Sequence, residues 1–93
     1  MDTHNDMVWA DRKMLNDLRR GNLVVGVKQL KKALNSGSAL RVFLAEDADP
    51  ALTEPIAALC AQTNIQCAWV HSMKDLGIAC GIDVGAAAAA AVV

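Results

Sequence analysis

Leu40-Arg41-Val42-Phe43-Leu44-Ala45 is the stretch that decides the fold. Val42, Phe43 and Leu44 follow one another without a polar residue between them, the pattern of a strand covered on both faces. Working upstream, Asn35-Ser36-Gly37 stops a helix whose inner face carries Val27, Leu30, Ala33 and Leu34, and Gly26 turns the chain into that helix from a short strand, Asn22 to Val25. Before it, Asp11 caps a helix through Met14, Leu15 and Leu18, which Gly21 ends. Downstream, Asp47-Ala48-Asp49-Pro50 makes a turn, and a helix from Ala51 to Thr63 is expected to bury Leu52, Ile56, Leu59 and Cys60, with Pro55 in its first turn, where no backbone donor is lost. Ile65 to Val70 returns as a strand, Ser72 caps a short helix through Ala79, and Gly81 and Gly85 bracket a loop.

The last segment, Ala86 to Val93, contains six consecutive alanines. Alanine favours helix, but the run ends in Val92-Val93 and a glycine precedes it, so it reads as a central strand whose small side chains let helices on both faces come close. The order is then α-β-α-β-α-β-α-β, which implies an α/β domain with a mostly parallel sheet between two helical layers. Residues 11–93 form this single domain, and Met1 to Ala10 reads as a flexible extension.

A chain of 93 residues buries roughly 60 to 65 per cent of its unfolded surface, which leaves little room for a deep catalytic cavity. Hydrophobic residues make up 54% and charged residues 20%, a globular composition. The first ten residues lack the basic region and apolar stretch of a secretory signal. The weakly polar run Val84 to Val93 is about half the length of a membrane span. A cytoplasmic protein that does not enter the membrane is expected. Cys60, Cys67 and Cys80 are odd in number and have no zinc or C-x-x-C spacing, so they read as small buried hydrophobes, reduced in that compartment.

Charge is distributed unevenly. From Arg12 to Arg41 there are eight Lys or Arg and one acid, Asp17, whereas from Val42 onward Lys74 is the only base against six acids. Either a polyanion-binding face or a solvated helix surface has this pattern.

Two segments sharpen the choice. Gly26-Val27-Lys28-Gln29-Leu30-Lys31-Lys32 places three lysines in the first two turns of a helix, where the macrodipole is already positive, a cost that a bound phosphate removes. Lys28 and Lys32 share a face, and the Gln29 amide both donates and accepts, as base edges require. The bland alternative is a set of lysines that favour solubility. In Leu76 to Gly85, glycines hold an apolar loop with Ile82 and Val84 separated by Asp83. Such a tip can cover an unstacked base, or it can fold into the core as the start of the last strand. Asp47 and Asp49 flank a turn without a third ligand or an EF-hand spacing, and Asp47 has the position of an Asx turn. His4 and His71 have no nucleophile at a recognisable motif, and the glycines at 77, 81 and 85 follow a helix instead of a strand. Catalytic and metal sites are therefore not expected.

Taken together, Gly26 to Lys32, Ala45-Glu46-Asp47-Ala48-Asp49-Pro50, and Leu76 to Gly85 with the alanine strand behind it resemble the ribosomal protein L7Ae and L30e family, which binds kink-turn RNA. The match runs from about Leu15 to Val93 and is closest to the small bacterial members. The resemblance implies a three-layer α/β/α sandwich around a four-stranded mixed sheet, and binding to the sharp bend where tandem sheared G·A pairs abut a bulge. It assigns guanine edges to Lys28 and Gln29, next to Gly26, and a phosphate to Lys32. An extruded nucleotide falls to Asp49, and the bulge to Ile82, Asp83 and Val84. Lys28 and Gln29 stand where archaeal members usually have Asn-Glu, and a neutral Gln still accepts a hydrogen bond from a guanine amino group.

The expected function is thus a non-enzymatic, ribosomal-protein-like RNA binder that works as a monomer without a cofactor, with structured kink-turn RNA as its partner and the ribosome as a further candidate. Phosphate contacts by Lys28, Lys31 and Lys32 imply a salt slope of roughly two to three. The rival is an assembly module that docks a partner protein through the Ile82–Val84 loop.

Overall fold

The computed structural model describes residues 8–93, over which strands and helices alternate: β1 (Val8–Trp9), α1 (Arg12–Arg20), β2 (Asn22–Val25), α2 (Val27–Ser36), β3 (Ala39–Ala45), α3 (Pro50–Thr63), β4 (Gln66–Val70), α4 (Met73–Cys80) and β5 (Ala88–Val92). The stop and start signals act as their chemistry demands. Asp11, Asp49 and Ser72 each accept a first-turn amide with their side chains, from Met14, Ala51 and Asp75 respectively. Gly37 and Gly81 end α2 and α4 in the left-handed conformation.

The sheet has five strands in the order β1-β4-β3-β5-β2, one more than the four expected. The additional strand comes from the expected flexible extension: Val8–Trp9 pairs in parallel with Ala68 and Trp69, and the Ala10 amide donates to the Trp69 carbonyl at 2.7 Å. Two residues are too few for period-two patterning to reveal a strand. Met1 to Met7, the rest of that extension, lies outside the described residues.

The sheet is mixed, and evenly so. β1 and β3 run parallel to β4, while β5 runs antiparallel to β3 and β2. The reason lies in the return of the loop that follows α4. The Ala86 amide bonds the Met73 carbonyl at 3.0 Å, so β5 enters beside the first residue of α4, at the end of the sheet where β4 leaves.

β3 sends residues to both faces. Phe43 and Ala45 pack with Leu18 of α1 and with Leu76 and Ala79 of α4. Val42 and Leu44 pack with Leu30, Ala33 and Leu34 of α2 and with Ile56 and Cys60 of α3. The three-layer sandwich is therefore present. The central position of the alanine strand is also as expected: Ala88, Ala89 and Ala90 are fully buried between β3 and β2, although Ala86 and Ala87 belong to the incoming loop.

α3 buries Ile56 and Cys60 as expected but not Leu52, and Pro55 lies inside the helix past its first turn instead of within it. The helix begins at Pro50, and the inward positions fall on Thr53, Ile56 and Cys60, leaving Leu52 exposed and Leu59 half-buried. Leu40 sits at an irregularity in the β3–β5 ladder between Ala39 and Arg41 and is likewise turned outward. Cys60 is buried, while Cys67 and Cys80 are half-buried, and all three thiols are free.

Candidate nucleic-acid interface

Three backbone hydrogen bonds gather the sequence-predicted segments at one end of the sheet. The Gly26 amide donates to the Ala88 carbonyl at 2.9 Å, Ala45 donates to Ala87 at 2.9 Å, and Glu46 donates to Val70 at 2.8 Å. The start of α2, the β3–α3 turn, the start of α4 and the end of the loop before β5 therefore meet along a single edge.

At α2 the chain differs locally from the other helices. Gly26 occupies the N-cap with φ 104° and ψ 148°, a backbone conformation that L side chains rarely adopt, and no side chain caps the first turn. The amides of that turn remain open and no acid sits among them, so the positive end of the helix is uncompensated. Lys28, Gln29, Lys31 and Lys32 are all exposed. Gln29 and Lys32, one turn apart, share a shallow recess with Val24, Ser36 and Val92 on the side of the edge strand β2. An anion at Gly26 would meet open backbone donors and flexible ammonium groups together.

The loop is shaped from beneath. Gly81 donates to the Ile78 carbonyl and Ile82 to the Gly77 carbonyl, both at 3.0 Å. The chain then folds back along α4 so closely that a Cβ on Gly77 would overlap the Val84 carbonyl, and one on Gly85 would lie 3.2 Å from the Met73 Cβ. The reading that folds this loop into the core as the start of the last strand holds only for the packing of Ile82, since β5 begins at Ala88. Ile82 is half-buried against the core, while Asp83 is exposed and Val84 is 69% exposed. Gly77 was missed as a determinant of the site, and its signal was a glycine inside an eight-residue helix, a position that normally costs about 1 kcal/mol relative to alanine.

The two aspartates of the turn have structural work. Asp49 accepts from the Ala51 amide at 3.0 Å as the cap of α3, and it is exposed beside the same edge. Asp47 does not make the local Asx turn expected of it. Its Oδ1 accepts from the Met73 amide at 2.8 Å, joining the β3–α3 turn to the start of α4.

The cationic third of the chain is not one face. α1, with Arg12, Lys13, Arg19 and Arg20, packs on the sheet face opposite α2, and the Arg41 Nε donates to the Gln66 side chain at 2.8 Å. Only Lys28, Lys31 and Lys32 accompany the open start of α2. A run of like charge in sequence is divided here by the sheet that the chain threads between the two helices.

No cluster of three His, Cys, Asp or Glu suited to a metal occurs among the described residues, and no helix there is long and apolar enough to cross a membrane. The imidazole of His71 stacks on Trp9, ring centroids 4.3 Å apart. Cys60 and Cys67 lie thiol to thiol, which pushes the Cys67 thiol up, and burial pushes Cys80 up.

Comparison with known proteins gives a consistent picture. A family model described as "Ribosomal protein L7Ae/L30e/S12e/Gadd45 family" matches residues 10–93. The RNA-binding protein YbxF of Geobacillus stearothermophilus is 47% identical over 73 residues, covering 78% of this chain and 89% of that protein. The large ribosomal subunit protein eL8 of Halobacterium salinarum is 37% identical over 73 residues, covering 77% of this chain and 61% of that protein. Among solved structures, a Giardia lamblia 15.5kD RNA binding protein superposes with a TM-score of 0.84 at 24% identity, covering 100% of this chain and 84% of that one, a likeness of fold.

Proposed function

The chain belongs to the ribosomal protein L7Ae/L30e/S12e/Gadd45 family, and from that premise we propose that it binds structured RNA at the edge described above and recognises the kink-turn. The observation that carries this reading is the bond from Gly26 to Ala88, which brings the open start of α2 beside the end of the loop that presents Val84.

Each part has a chemical task. The amides after Gly26, with Lys28, Lys31 and Lys32, take backbone phosphates where two strands converge at the bend. Lys28 and Gln29 face guanine edges, Gln29 accepting from an amino group. Asp49 uses one carboxylate oxygen to cap α3 and keeps the other for an extruded nucleotide. Val84, steadied by the half-buried Ile82, covers the unstacked bulge, and Asp83 between them presents an acceptor.

RNA that samples the bent state as a minor population is drawn toward it in proportion to the protein's preference for that state. Nothing in this scheme breaks a covalent bond or calls for a cofactor. The protein acts as a cytoplasmic monomer, and ribosomal RNA with such a bend is one class of target.

The test is a titration of kink-turn RNA with the Lys28→Ala/Lys32→Ala variant. Its affinity should fall and its salt slope should shrink by about two. Unchanged affinity would contradict the assignment.

A further inference from the structure

We infer that the protein carries a second binding site, distinct from the RNA edge, for a cationic side chain of a partner protein, and that arginine is the residue it takes. The site is a recess of about 300 Å³ lined by Trp9, Trp69, Glu46, Glu54, Pro50 and Thr53. It opens between the first turn of α3 and the β1–β4 margin of the sheet.

Four observations point to the same ligand. Trp9 and Trp69 are direct neighbours in the parallel β1–β4 ladder, so their rings leave the sheet on one side. They are the only tryptophans in a chain with one phenylalanine and no tyrosine, and Trp9 remains 42% exposed. Glu46 and Glu54 are exposed on the wall of the recess, and none of the residues lining it is a Lys or Arg. Thr53, only 3% exposed, lines the same recess.

Indole faces beside carboxylates attract a cation and repel a phosphate, which separates this recess from the RNA edge although Glu46 directly follows β3. A planar guanidinium stacks on indole and bonds a carboxylate through two donors at once, which a lysine ammonium cannot do. The stack of His71 on Trp9, with 19° between the ring planes, fixes one wall in advance. The volume lies at the small end of ligand sites and suits one side chain. Among the described residues β1 is the edge strand, so an extended peptide finds backbone to pair with alongside the recess, whereas free arginine does not.

Both tryptophans line the recess, and their emission therefore reports its occupancy. The full chain is titrated with acetyl-Gly-Arg-Gly-amide, with the same peptide carrying citrulline or lysine in place of arginine, and with free arginine. The arginine peptide should change the emission saturably, and the other three should bind at least about tenfold more weakly. In Glu46→Gln/Glu54→Gln, two substitutions on exposed positions, the response to the arginine peptide should weaken by about as much, and in Glu54→Gln alone it should weaken in part while kink-turn RNA affinity stays at the parent value. Equal binding of the citrulline peptide, an unaffected double variant, or no saturable change would overturn the inference. Equal binding of free arginine would rule out the protein partner, and displacement of the peptide by RNA would assign the recess to nucleic acid.

Discussion

The carboxylate of Asp47 accepts a hydrogen bond from the backbone amide of Met73 at 2.8 Å, across 26 residues of sequence. The Met73 carbonyl in turn receives the Ala86 amide at 3.0 Å. One residue at the start of α4 thus ties the β3–α3 turn to the loop that presents Val84. Replacing Asp47 with alanine should lower stability by about 1–2 kcal/mol, the worth of a cap-type bond. Urea denaturation measures it, and RNA affinity should fall with it, because the loop loses its anchor. Asp47→Asn, which keeps an acceptor, should lose less on both counts.

Gly77→Ala sets two effects against each other. Alanine favours an exposed helix interior by about 1 kcal/mol over glycine, but here its methyl group would overlap the Val84 carbonyl. Overpacking against backbone costs about 1–3 kcal/mol, so the clash should win. A lower denaturation midpoint together with weaker RNA binding is expected. A more stable variant would show that the loop yields freely.

Gly26→Ala tests the backbone alone. No heavy atom lies within 4 Å of a Cβ placed there, yet φ is +104°, and strain of about 1–3 kcal/mol should appear as lost stability. Relaxing that strain would turn the first-turn amides away, so RNA affinity should drop beyond what the stability change explains.

Thiol reactivity follows burial. Burial holds the Cys80 thiol above its ordinary value, so at pH 8 less of it is thiolate than for a free cysteine, and alkylation should be slower than that of a model thiol. The rate should climb as the pH is raised further. Mass spectrometry of iodoacetamide-treated protein over a pH series checks both statements.

Much of the fold was legible because it rests on local rules. The apolar run at Val42–Leu44, the caps at Asp11 and Ser72, and the stops at Gly37 and Gly81 all depend on residues close in sequence. What escaped depends on distant partners. Val8–Trp9 becomes a strand only because the edge of β4 is there to pair with, and Asp47 finds its donor 26 residues away. The charge run left its own choice open for the same reason, since sequence order gives no hint that α1 and α2 end on opposite faces. For the site, the clustering at one sheet edge of Gly26, Asp49 and the 81–85 loop needed the register of β5, in which Val25 faces Ala89.

The central claim concerns shape recognition, and it is tested most directly by measuring affinity for a kink-turn RNA beside the same RNA with its sheared G·A pairs replaced by Watson–Crick pairs. The kinked RNA should bind at least about tenfold more tightly, since only it brings two phosphate strands and an exposed bulge to the edge at Gly26 and Val84. Equal affinity for the two RNAs would contradict it, leaving Lys28, Lys31 and Lys32 as general attractors of polyanions.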